Sequence, residues 1–169
     1  QQFERLRAGI QGLLEHHRFV VQPIPGRVYE GDVSLASKRP KLAQRRVATR
    51  AEGETGVMQG DAFLLRQALV NLLDNAADFA PEGSTVTVGI AGDGSQWRVS
   101  VADEGPGVPD YALERAFERF YSLPRPGGGS RSSGLGLCCA AEAAALHGGE
   151  ARLENRPGGG AIATLLLPA

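Results

Sequence analysis

Two asparagines one helical turn apart, Asn71 and Asn75, share a stripe with Gln67 and Asp78 in LLRQALVNLLDNAADFAP, residues 64 to 81. Asparagine is a mediocre helix former, and water-facing helices favour Lys, Glu and Gln. Side-by-side amides therefore suit a ligand: their oxygens can serve magnesium, a hard cation that takes oxygen donors and keeps several waters. A second candidate is Asp103, which ends the alternating run WRVSVAD on the same face as Trp97, Val99 and Val101. A carboxylate closing an apolar row needs a donor to offset its desolvation. The exocyclic amine of adenine is such a donor; the alternative is a turn-stabilising role in DEGPGVP. Gly105 and Gly107 let backbone approach a flat base. Gly134 and Gly136 precede a helix, where backbone N–H groups and the helix dipole attract an anion. Amides for metal and phosphate, a carboxylate for adenine and glycine N–H groups for phosphate together suit a nucleotide with its metal.

Those groups need elements to carry them. Leu65, Ala68, Leu69, Leu72, Leu73 and Ala76 form an apolar stripe opposite the amides, so the segment reads as an amphipathic helix launched by Gly60-Asp61. TVTVGIA and WRVSVAD alternate on either side of Gly92-Asp93-Gly94, an antiparallel hairpin. Pro109-Asp110 is expected to open a helix with Leu113, Ala116, Phe117 and Phe120 on its apolar face. LPRPGGGSRSS is expected to stay mobile until a ligand holds it. Gly134 opens a small-residue helix that runs to His147 and stops at Gly148-Gly149, and residues 150 to 155 and 161 to 167 close the chain as strands. Upstream, Phe3, Leu6, Ile10, Leu13 and His17 keep the spacing of a helical seam. VVQPIPGRVYEGD reads as a proline-punctuated linker reaching a strand at Arg27 to Tyr29, Asp32 caps a helix through Gln44, and residues 45 to 50 and 57 to 59 read as short strands.

The chain has 169 residues, 42% of them hydrophobic, enough for one domain with a real core plus a short appendage. A formal net charge of −1 leaves no electrostatic footprint for nucleic acid. No apolar run approaches the roughly 20 residues that span a bilayer, so no membrane contact by this stretch is expected. Cys138 and Cys139, the only cysteines, are adjacent and ill placed to bridge each other, which fits a reducing compartment.

From Asp61 to Ala169 the sequence resembles the catalytic ATP-binding domain of sensor histidine kinases, a Bergerat-fold group that includes gyrase, mismatch-repair ATPases and heat-shock chaperones. NLLDNA resembles the N box, DEGPGVP the first glycine box, FERFY the phenylalanine box and GLGL the second glycine box, in the family's order and spacing. Within the family, PDYALERAFERFYSLPR followed by SSGLGL is most similar to the CreC type. The resemblance implies an α+β sandwich: a mixed, mostly antiparallel sheet with helices on one face and an N-terminal helical segment. Residues 1 to 25 would then be the end of a dimerisation and phosphotransfer helix with its linker, and residues 26 to 169 the catalytic domain, with Leu123 to Ser133 as the ATP lid. It implies ATP and Mg²⁺ as ligands, with Asn75 and Asn71 at the metal. Asn71, Asn75, Asp78, Asp103, Gly105, Gly107, Tyr121, Ser133, Gly134, Leu135, Gly136 and Leu137 would surround the nucleotide. The implied partners are an acceptor-histidine domain of the same protein, homodimeric at full length, and a response regulator. The implied location is the cytoplasmic side of a bacterial inner-membrane sensor.

Hydrolytic relatives carry a glutamate, the base that activates water, where this chain has Asn71. An amide cannot take a proton at neutral pH, so the resemblance implies transfer of the γ-phosphate to a histidine imidazole. No acceptor motif occurs in these residues, and the chain is expected to bind ATP without carrying its own substrate. Two positions depart from the common pattern. Asp78 stands where Lys or Arg is usual, and Ser122 where Arg is usual. Arg125 and Arg131 in the lid are the candidate replacements for that charge, acting in catalysis beside Asn71 and Asn75, and Asp78 could instead hold a magnesium-bound water. The alternative readings are a regulatory nucleotide-binding module without phosphotransfer and a Bergerat-type ATPase clamp.

Overall fold

The computed structural model describes residues 19–22, 46–53, 56–126 and 132–169. The seam of residues 3 to 17, the strand at 27 to 29, the helix of 32 to 44 and Arg131 lie outside them.

Asp61 starts α1 (Ala62–Phe79) by accepting the N–H groups of Phe63 and Leu64 at 3.0 and 3.1 Å through Oδ1. This satisfies two of the donors that a helix start leaves without intrahelical partners. The helix ends at Ala80, whose N–H reaches Ala76 O at 2.8 Å, immediately before Pro81. Leu65, Ala68, Leu72 and Ala76 are buried as their spacing requires, while Leu69 and Leu73 pack partly buried against the same core.

The expected hairpin is β4 (Thr85–Gly92) and β5 (Gln96–Ala102), antiparallel with Val88 opposite Val101. Asp93 builds its turn by accepting the N–H groups of Ser95 and Gln96 and the Ser95 hydroxyl, which hold its carboxyl below the usual range. β6 (Glu150–Asn155) and β7 (Ala161–Pro168) pair antiparallel, and β7 joins β5. β2 (Ala48–Gly53) lies parallel to β4, giving a mixed sheet ordered β2-β4-β5-β7-β6. This strand starts later than the sequence suggests, because Arg46 takes a left-handed turn with φ 51°. α3 (Gly136–Leu146) packs beside α1. One core joins Val86, Val88, Val99, Val101, Leu165 and Leu167 of the sheet to Leu72 and Ala76 of α1 and Ala140, Ala143 and Ala144 of α3. The α+β arrangement, with helices over one sheet face, is the one expected.

Two elements differ from expectation. Phe19–Gln22, at the start of the stretch read as linker, is a strand, β1, parallel to β3 (Gly56–Gln59). That pairing joins segments far apart in sequence, which local patterning does not reveal. The helix opened by Pro109 is a single turn, α2 (Asp110–Leu113), followed by turns rather than further helix. Phe120 has φ 64°, is 75% exposed, and donates its N–H to Gly134 O at 3.0 Å. A left-handed residue whose N–H is taken by a distant carbonyl cannot extend a helix, so the apolar spacing from Leu113 to Phe120 does not form one face.

α1 and α3 are also tied at one end. His147, the C-cap of α3, accepts the Asp61 N–H at Nε2 (2.8 Å) and meets Ala143 O through Nδ1 (2.6 Å), which makes Nδ1 the protonated nitrogen. Gly60 leaves room for that ring, since a Cβ there would press on it.

Candidate functional site

The polar stripe of α1 opens onto a cavity of about 370 Å³, within the range of small-molecule sites. Gln67, Asn71, Asn75 and Asp78 all line it, and the Gln67 amide donates to Asn71 Oδ1 at 3.1 Å, orienting the first asparagine. Opposite Asn71 stands the start of α3, with Gly136 placed so that an added Cβ would lie 3.8 Å from Asn71 Cβ. The first N–H groups of α3 receive no side-chain cap, and Leu135 at the N-cap has none to offer. They are therefore available to an anion. Leu135 and Leu137 line the same wall, with Tyr121 and Ser133.

Asp103 is 5% exposed and also lines the cavity. Its Oδ1 accepts the N–H of Gly105 at 2.8 Å and of Ala161 at 3.3 Å. Burial raises the carboxyl above the ordinary aspartate range, against the opposing pull of those two N–H groups and of Arg156. Asp103 thus stabilises the turn and at the same time lines the cavity. The loop after it is clamped from β6 and the β6–β7 turn. Asn155 accepts the Val108 N–H and donates to Val108 O, both at 2.7 Å, mimicking a strand partner. Arg156 donates to Asp103 O at 2.5 Å. Gly160, at φ 88°, lies where a Cβ would overlap the Asp103 carbonyl.

The glycines divide by purpose. Gly107 lines the cavity, whereas Gly105 does not: a Cβ there would strike Phe79 O and Asp103 Oδ1, so its smallness serves packing of the loop on α1 rather than approach to a base. Gly134, at φ 69°, lines the cavity and lies directly on the Phe120–Tyr121 backbone. Arg125 also lines it and pairs with Asp78. Sequence reasoning missed Phe79, Val108, Ala112, Leu153 and Ala161, small or apolar lining residues that no chemical signature singles out. Ser122, Leu123 and the exposed Cys139 line it as well, while Cys138 is buried; neither cysteine is in a disulfide. No cluster of three or more His, Cys, Asp or Glu side chains able to hold a metal occurs among the described residues. The amide oxygens of Asn71 and Asn75 on the cavity wall are of the hard-donor type that suits magnesium.

Residues 60–169 match the family model for histidine kinase-, DNA gyrase B-, and HSP90-like ATPases. The chain is 45% identical over 127 residues to the sensor protein CreC of Escherichia coli (strain K12), covering 75% of this chain and 27% of CreC. Among solved structures it resembles the mycobacterial sensor histidine kinase MprB, with a TM-score of 0.65 at 30% identity over 75% of this chain and 86% of that one. Full-length ShkA in complex with AMPPNP superposes with a TM-score of 0.64 at 30% identity, over 76% of this chain and 27% of that one. The chain thus spans about a quarter of CreC and of ShkA. It belongs to the histidine kinase-, DNA gyrase B- and HSP90-like ATPase family, and within it to the ATP-binding catalytic domains of sensor histidine kinases.

Proposed function

We propose that this domain binds Mg²⁺–ATP and presents the γ-phosphate to a histidine on a dimerisation and phosphotransfer domain of the same protein, from which a response regulator takes the phosphoryl group. The likeness to ShkA, whose structure holds AMPPNP, supports nucleotide occupancy of this cavity. Asp103 accepts the adenine amine, Gly107 allows close approach to the base, and the start of α3 with Gly134, Gly136 and Ser133 receives the phosphates. Asn75 and Asn71 would hold the metal, which would supply charge neutralisation for the phosphates and for the group in flight. An imidazole nitrogen attacks phosphorus, the bond to the bridging β-phosphate oxygen breaks, and ADP leaves with the electron pair. The domain's own part is to align these atoms and exclude water. Arg125 and Arg131 add positive charge from the lid. In the cell the domain works on the cytoplasmic side of a homodimeric inner-membrane sensor. Among the described residues no helix is long and apolar enough to cross a membrane.

One observation carries the choice of reaction. Asn71 faces the start of α3 across the cavity, and an amide there cannot take a proton from water. The test supplies the chain in trans to the matching dimerisation domain with γ-labelled ATP. Acid-labile, alkali-stable label on that domain's histidine is expected. Absence of label with ATP bound would defeat the phosphotransfer reading, and steady phosphate release abolished by Asn71→Ala would favour an ATPase clamp.

A further inference from the structure

Asp78 is placed against three opposing influences. It lies in the last turn of α1, which has no basic residue, so its charge sits at the negative end of the helix dipole. Its side chain is only 11% exposed, so the carboxylate is also desolvated. It lines the cavity assigned to a polyphosphate, which would repel it. A carboxylate kept in such a place needs a cation, and the structure supplies Arg125. A loop arginine is ordinarily solvated, yet this one, between Pro124 and Pro126, is only 17% exposed and forms an ion pair with Asp78. Both partners line the cavity. A guanidinium presents its N–H donors in a planar fork that suits phosphate oxygens.

We propose that Asp78 is a positioning residue that holds the Arg125 guanidinium over the cavity, so that the root of the lid, and not α1, brings the cation to the nucleotide's phosphates. The inference rests on the nucleotide-binding reading. It assigns Asp78 to Arg125 instead of to a magnesium-bound water. Because the pair acts on phosphate, adenosine binding should be blind to it.

The test is a mutant cycle of the chain, D78N, R125Q and D78N/R125Q, titrated calorimetrically with ADP and with adenosine, with and without Mg²⁺. R125Q should weaken ADP binding roughly tenfold or more, the scale of a lost charge-assisted contact, and D78N by a smaller factor. The double variant should bind ADP no more weakly than R125Q, and adenosine affinity should stay within about twofold throughout. Without nucleotide, amide exchange at Leu123 and Arg125 should quicken in D78N and stay near wild type in D78E, which keeps the charge. The proposal is overturned if D78N matches wild type in ADP affinity and in exchange, if it weakens binding further on the R125Q background, if its effect vanishes without Mg²⁺, or if adenosine binding falls equally. A wild-type chain that binds neither ligand would instead remove the nucleotide site itself.

Discussion

Asp103→Asn separates the loop contacts that Asp103 makes from the adenine contact proposed for it. Oδ1 holds the loop through Gly105 and Ala161, and an asparagine carbonyl can keep both contacts. The position facing the ligand becomes an NH₂ group, so a donor meets the donating amine of adenine. A lost hydrogen bond to a charged group is worth about 1.5–3 kcal/mol, and a buried donor left unmatched costs about 1–3 kcal/mol. Allowing for partial relaxation, a net loss of roughly 2–4 kcal/mol is expected, or about 30- to 1,000-fold in ADP affinity, with the melting temperature little changed. A pH series adds a second arm. Burial raises the native carboxyl above its unfolded value of about 3.9. Between those two values the folded state binds more protons than the unfolded chain, so this residue's contribution to stability grows as pH falls through the window. Affinity moves the opposite way, since a protonated carboxyl loses an acceptor for the amine. Calorimetry and melting on wild type and D103N over that range should show these opposite signs in wild type alone. Binding of ADP by D103N within about threefold of wild type, or identical pH slopes for the two proteins, would refute the assignment.

Asp61→Ala removes both N-cap contacts of α1 and should cost about 1–2 kcal/mol, seen as a melting point lower by roughly 3–8 °C with ADP affinity near wild type. Gly160→Ala forces a Cβ onto the Asp103 carbonyl at φ 88°, whereas Gly83→Ala, at φ 80°, meets nothing within 4 Å. Both bear the left-handed cost of about 1–2 kcal/mol, but only Gly160→Ala should also weaken adenosine and ADP together, because it displaces the base end of the site. Equal losses in melting point and unaltered affinity in the two variants would show that the close approach at Gly160 does not matter.

The parts of this fold legible in sequence are those with local causes. The stripes of α1, the β4–β5 alternation and the placement of Asp103 on a core-facing row all follow from periodicity, and the structure places them as expected. The parts that escaped are set by distant contacts. Nothing within Leu113 to Phe120 shows that Gly134 O will claim the Phe120 N–H and end the helix pattern. The β1–β3 pairing joins residues far apart along the chain. Gly105 carries the same signature as Gly107, and only the nearness of Phe79 O reveals its different purpose. Asp78 looked anomalous on its stripe because its partner, Arg125, comes from another segment of the chain.

The clamp that Asn155, Arg156 and Gly160 close around the Asp103–Val108 loop has an entropic consequence. A loop whose backbone is already held by neighbouring side chains gives up little conformational freedom when a ligand arrives. On the proposed nucleotide reading, the base end of the site is therefore formed before a ligand arrives, and little of the binding free energy goes into ordering it.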